Sequence, residues 1–167
     1  MKKILILIIA VFCFGNIYCQ TAEEYYKTGI EKAKLNDYRG SILDFTKATE
    51  LKPNYVDAYY FKGRSKWFLE DYRGAILDFT KVIELKPNYS EAYFQRGLSK
   101  FKLKDFSGTI SDCSKSISLN SRVADSYFMR GSSKFKLADK ENACLDYSKA
   151  GELGSEEAYE MIKKYCN

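Results

Sequence analysis

Residues Asp71–Tyr89 read DYRGAILDFTKVIELKPNY, and residues Asp37–Tyr55 read DYRGSILDFTKATELKPNY. Sixteen of the nineteen letters agree, at an offset of 34 residues. Shared ancestry of the two stretches explains that agreement better than composition does. A fixed period of this size marks a protein of stacked repeats. Counting from Ala22 gives four units, at about 22–55, 56–89, 90–123 and 124–154. One column holds Tyr25, Tyr59, Tyr93 and Tyr127, and four residues later come Gly29, Gly63, Gly97 and Gly131. A small-residue column holds Ser41, Ala75, Thr109 and Ala143, followed by Phe45, Phe79, Cys113 and Tyr147. The next column holds Ala48, Val82, Ser116 and Ala150, and Leu51, Leu85, Leu119 and Leu153 close the units.

Spacings of three and four within these columns predict two helices per unit. Leu69-Glu70-Asp71-Tyr72 is the turn between them, and Asp71 or a neighbour is placed to cap the second helix. Pro53 and Pro87 end second helices, because proline cannot continue one. Glycine at 63 opposite Ala75 lets two helix backbones approach, with Phe79 filling the space beside them.

The pattern resembles the tetratricopeptide repeat: an aromatic, a glycine, a small residue, an aromatic, another small residue and a proline over 34 residues. The resemblance covers Ala22 to about Leu153. It implies an all-α, right-handed α-solenoid of four helix pairs over residues 20–154. The repeats grow less regular toward the C-terminus. Ser121 and Ser155 stand in the proline column, and the Tyr38 and Tyr72 column becomes Phe106 and then Lys140. Residues 155–167 read as a capping helix, with Ser155 as N-cap and Ala158, Met161, Ile162 and Tyr165 as its apolar stripe.

Met1 to Cys19 is built differently. Lys2 and Lys3 precede an apolar run from Ile4 to Phe14, then Gly15 and Asn16 break it. This is the layout of a secretory signal peptide, too short to span a bilayer as a stable helix. Cleavage after Cys19 would leave Gln20 as N-terminus and an exported protein, periplasmic, associated with the outer envelope or secreted, with no membrane span. A lipidated Cys19 and an uncleaved anchor remain as alternatives. Formal charge is +5 over the chain, with 27 basic and 22 acidic side chains, and +3 once Lys2 and Lys3 are removed. That balance carries no footprint of a nucleic-acid binder.

The chain has no histidine. No triad, Gly-rich phosphate loop or H-E-x-x-H motif is present, so no catalytic residue, cofactor or metal is expected. Of the cysteines beyond the leader, Cys113 falls in a core column and reads as a buried thiol. Cys144 opens the last second helix and Cys166 ends the capping helix. If those helices form an antiparallel hairpin, the two cysteines meet at its open end, and a disulfide is expected there.

The resemblance implies that first helices line a concave groove. Four columns would face it: Tyr26, Tyr60, Phe94 and Phe128; Lys27, Phe61, Gln95 and Met129; Ile30, Arg64, Leu98 and Ser132; and Ala33, Trp67, Phe101 and Phe135. Rigid aromatic surface with Arg64 and Lys27 as charged points suits an extended peptide or partner helix. The same aromatics also suit packing between repeats. The carboxylate clamp of some chaperone-binding members needs asparagines that these helices lack, so chaperone binding is not implied. Two further columns, Lys32, Lys66, Lys100 and Lys134, and Asp44, Asp78, Asp112 and Asp146, read as intra-unit ion pairs or as a basic strip for an acidic partner, with Lys62, Arg96 and Arg130 one turn before the lysines. The functional expectation is a non-catalytic adaptor binding a protein or peptide. A small-ligand module for glycans and a self-associating structural unit are the alternatives.

Overall fold

The computed structural model describes residues 20–166, so the leader expected over residues 1–19 lies outside the described residues. Among the described residues nine helices follow one another: α1 (Ala22–Lys34), α2 (Tyr38–Leu51), α3 (Val56–Phe68), α4 (Tyr72–Leu85), α5 (Ser90–Lys102), α6 (Phe106–Leu119), α7 (Ala124–Lys136), α8 (Lys140–Glu152) and α9 (Glu156–Tyr165). Each helix packs on its neighbours in sequence, and the odd-numbered helices α1, α3, α5 and α7 also touch in order. The protein is an all-α solenoid of four helix pairs closed by a ninth helix.

Local chemistry sets the helix ends. Asp37, Asp71 and Asp105 cap α2, α4 and α6 by accepting the amides of Gly40, Gly74 and Gly108, each at 2.9 Å. Asp139 does the same for α8, through Asn142. The residue before each of these aspartates takes the left-handed conformation, with φ of 62° at Asn36, 61° at Glu70, 64° at Lys104 and 64° at Ala138. Only Asn36 is a type that favours it. Lys52, ahead of Pro53, is extended at φ −134° and ψ 86°, as a residue before proline must be. Asn120 keeps that geometry with Ser121 in place of the proline, so the stack, not the proline, holds the link open.

The core repeats with the sequence. Phe45, Phe79, Cys113 and Tyr147 are fully buried, as are Ala58 and Ala92 on the facing first helices. In the third unit the interior turns polar. Ser116 replaces the apolar residue of its column, and its hydroxyl lies 2.9 Å from that of Ser126 and 3.0 Å from that of Ser90. The three hydroxyls satisfy one another, which makes their burial tolerable. Burial pushes the Cys113 thiol up to about 12.

The glycine column shows how tightly each pair is set. A methyl group at Gly29 would sit 2.7 Å from Cε1 of Phe45, whose ring is fully enclosed. At Gly97 the smaller Cys113 lies opposite, and the nearest atoms are 3.3 and 3.4 Å away. Gly29→Ala is therefore expected to cost about 2 kcal/mol through overpacking. Gly97→Ala is expected to be near neutral, because alanine's helix propensity offsets the tighter contact. Urea unfolding of the two variants checks this contrast.

After α8 the connection shortens to Leu153-Gly154-Ser155, with Gly154 at φ 96°. Ser155 caps α9 by accepting the amide of Ala158 at 3.3 Å. Ala158 is fully buried, as Ala58 and Ala92 are near the starts of their first helices, and Tyr165 meets Phe135 of α7 at 4.8 Å. α9 therefore sits where a fifth unit's first helix would begin. A disulfide joins Cys144, at the start of α8, to Cys166 after α9, with Cα atoms 5.7 Å apart.

Candidate functional site

The charged columns resolve into buried ion pairs inside each unit. Asp112, 3% exposed, accepts Nε and Nη2 of Arg96 at 2.9 and 2.6 Å and pairs with Lys100 at 2.7 Å. Asp146 repeats this with Arg130 and Lys134, and Asp78 with Lys62 and Lys66. Among the described residues Asp44 pairs with Lys32 alone, at 2.7 Å, because Thr28 stands where the later units carry a cation. Arg96 also donates to Thr80 of the preceding unit, and Arg130 to Ser114, each at 3.2 Å, so the ladder ties units together. Each lysine of the Lys32 column already holds an aspartate. That removes the basic-strip reading.

Among the described residues, two neighbouring cavities on the first helices bear on the predicted groove. The larger, about 660 Å³, is lined by Tyr26, Lys27, Ile30, Glu31, Ala33 and Lys34 of α1, Tyr38 at the start of α2, and Phe61, Arg64, Ser65 and Phe68 of α3. The smaller, about 160 Å³, is lined by Arg64, Trp67 and Phe68 of α3 with Gln95 and Leu98 of α5. Arg64 and Phe68 border both. Rings form much of the larger wall. Tyr26 lies 6.0 Å from Phe61, and Tyr38 is stacked on Phe68 at 4.7 Å with 10° between planes. Among the described residues Lys27, Glu31, Lys34 and Arg64 have no ion-pair partner; Arg64 lies over the Phe61 ring at 5.8 Å.

The structure brings nine of the sixteen residues of the four groove columns to these cavities: Tyr26, Lys27, Ile30, Ala33, Phe61 and Arg64 to the larger, and Arg64, Trp67, Gln95 and Leu98 to the smaller. The others lie elsewhere. Tyr60 is 7% exposed and belongs to the core with Phe79 and Val82, its hydroxyl 3.4 Å from Glu91. Phe101 packs on Phe106, Phe128 on Tyr147 and Phe135 on Tyr165. Phe94 and Met129 are half-buried and line neither cavity. Sequence reasoning missed Tyr38, just after the turn of the first unit, and Phe68, just before the turn of the second. Phe68 breaks into an otherwise polar position, and that was its one signal.

Burial raises the hydroxyl pKa of Tyr26, Tyr60 and Tyr89, and the nearby carboxylates, Asp57 for Tyr26 and Tyr89 and Glu91 for Tyr60, add to it. Each is neutral in the folded protein beyond the pH at which it ionises when unfolded. Their stabilisation is complete below about pH 10 and is lost as pH rises from there through the folded pKa values. The urea midpoint is expected to hold steady from pH 8 to 9.5 and fall by pH 11.

A family profile described as tetratricopeptide repeat matches residues 56–89 and 124–153, the second and fourth units. Those two units are tetratricopeptide repeats. Solved structures agree on the fold. MamA from Desulfovibrio magneticus RS-1 is 26% identical, with 79% of this chain and 75% of that chain covered and a TM-score of 0.75. Another MamA crystal structure superimposes at TM-score 0.81, with 24% identity and 84% and 78% coverage. The first tetratricopeptide domain of Spaghetti (RPAP3), bound to the HSP90 peptide SRMEEVD, aligns at 0.69, with 20% identity and 71% and 94% coverage. A comparison with curated protein sequences finds no match.

Proposed function

We propose that this tetratricopeptide-repeat protein is a non-catalytic scaffold of an exported compartment that holds a peptide or partner protein along its first helices. The cavity of about 660 Å³ between α1 and α3 carries this reading. It joins ring-lined apolar surface to an unpaired Arg64 on rigid helices, the combination that anchors partner side chains. The peptide-bound tetratricopeptide relative supports it as a likeness of fold. The Cys144–Cys166 disulfide favours an oxidising compartment and fits the leader read at residues 1–19. Among the described residues no helix is long and apolar enough to cross a membrane.

The test is affinity capture from an envelope extract with the purified protein and an Ile30→Glu, Arg64→Glu variant whose fold is verified by circular dichroism. Partners retained by the parent are expected to drop about tenfold or more with the variant, since one lost anchor and one reversed charge each weaken a contact. Identical capture by both proteins would remove the groove from consideration.

A further inference from the structure

Ala33 stands in a column that holds Trp67, Phe101 and Phe135 in the other three units. In the second unit Trp67 packs edge-on against Tyr72, with ring centroids 6.0 Å apart. In the third, Phe101 meets Phe106 in the same way at 5.4 Å. Tyr38 occupies the Tyr72 position of the first unit, where Ala33 offers it no ring; its hydroxyl donates to Asn36 Oδ1 at 2.9 Å. Tyr38 instead lies flat against Phe68 of the next unit. The space that an aromatic side chain fills elsewhere is here part of the open cavity of about 660 Å³.

We propose that this cavity is a seat for an aromatic side chain presented by a partner segment, with a carboxylate on the neighbouring partner residue meeting Arg64 and Lys27. The inference deepens the groove reading and rests on it. The repeat itself argues for an aromatic occupant. Three units complete this position with a ring of their own, and the first leaves it to be completed from outside. The walls agree, because Tyr26, Tyr38, Phe61 and Phe68 offer ring edges and faces that favour offset or edge-on partners. The charge of the rim agrees too. Lys27, Lys34 and Arg64 outweigh Glu31, and none of the four has an ion-pair partner among the described residues. An acidic flank would find unpaired cations there, and a basic flank would be repelled.

The probes are capped peptides of sequence Gly-Asp-Phe-Asp-Gly, Gly-Asp-Leu-Asp-Gly and Gly-Lys-Phe-Lys-Gly, titrated into the full protein and followed by NMR. The first is expected to shift resonances of Ile30, Phe61 and Phe68. The leucine peptide is expected to bind about fivefold more weakly, and the lysine peptide more weakly still. Ala33→Phe should raise the thermal midpoint by filling the cavity and abolish binding. Ala33→Ser leaves the cavity open and should bind as the parent does. Should Ala33→Phe fail to fold, Phe68→Ala removes one wall and should weaken the phenylalanine peptide selectively. Equal affinity for the leucine and phenylalanine peptides, undiminished binding by Ala33→Phe, or no binding of any peptide at millimolar concentration would overturn the seat. A dimer dissolved by Ala33→Phe would also overturn it, by assigning the cavity to a second copy. If a captured protein is lost by the Ile30→Glu, Arg64→Glu variant yet kept by Ala33→Phe, the groove stands and only the aromatic seat fails.

Discussion

Asp112→Ala is expected to lower the unfolding free energy by about 3 kcal/mol, near the low end for breaking a buried ion pair. The carboxylate is 3% exposed and answers two cations, Arg96 and Lys100. Without it both charges are left on an interior face. Their side chains keep 17% and 21% exposure, and Arg96 retains Thr80, which limits the loss. Asp44→Ala is the internal comparison. Its one partner, Lys32, has a side chain 42% exposed and can turn to water, so a loss of about 1 kcal/mol or less is expected. Urea unfolding of both variants decides the point, and equal losses would show that the second cation and its burial are not what matters. A triple variant, Asp112→Leu with Arg96→Met and Lys100→Met, should recover most of the stability, since apolar replacement of a whole buried network is often close to neutral.

The second large effect belongs to the disulfide. Cys144 and Cys166 are separated by 22 residues, and loss of that cross-link is expected to cost about 3 kcal/mol by the chain-entropy argument. The damage should be local. Units of a solenoid contact only their neighbours, so loosening one end leaves the middle intact. In a Cys144→Ser, Cys166→Ser variant, amide protection should fall across α9 and the end of α8, where Tyr147, Ala150 and Ala158 form the last core cluster. Protection in α3 and α4 should stay as it was. Hydrogen exchange reads both regions at once. Unchanged protection in α9 would mean that packing alone holds the cap.

The candidate site was only partly legible. Ile30 and Arg64 could be placed through the resemblance to the tetratricopeptide repeat, which implies that their column faces the groove. Tyr60 could not be. It shares the column of Tyr26, yet it is 7% exposed, because Tyr89 stacks on it at 5.5 Å and Phe79 and Val82 lie behind it. Tyr26 has Tyr55 at 5.0 Å but remains half-buried and reaches the cavity. One column thus holds both a core residue and a lining residue. The lysine column was equally two-sided, because nothing in its spacing says whether an aspartate on the next helix comes within reach.

The sequence by itself determined the period, the pairing of helices, a cap at Asp71 or a neighbour, and the closing helix. Those follow from local rules: helical phase, capping chemistry and the repetition of one unit that cannot bury its apolar face alone. Only the tertiary structure decided which aromatics are core, that the charged columns neutralise each other, and where the stack leaves a cavity. These depend on sums of side-chain volume and distance across helices far apart in the chain. Ala33 shows the boundary between the two. Its smallness in an aromatic column is visible in the letters, but a missing ring becomes an open cavity only if no neighbour moves in to fill it. Here Tyr38 stacks on Phe68 at one edge, and the space above Ala33 stays open.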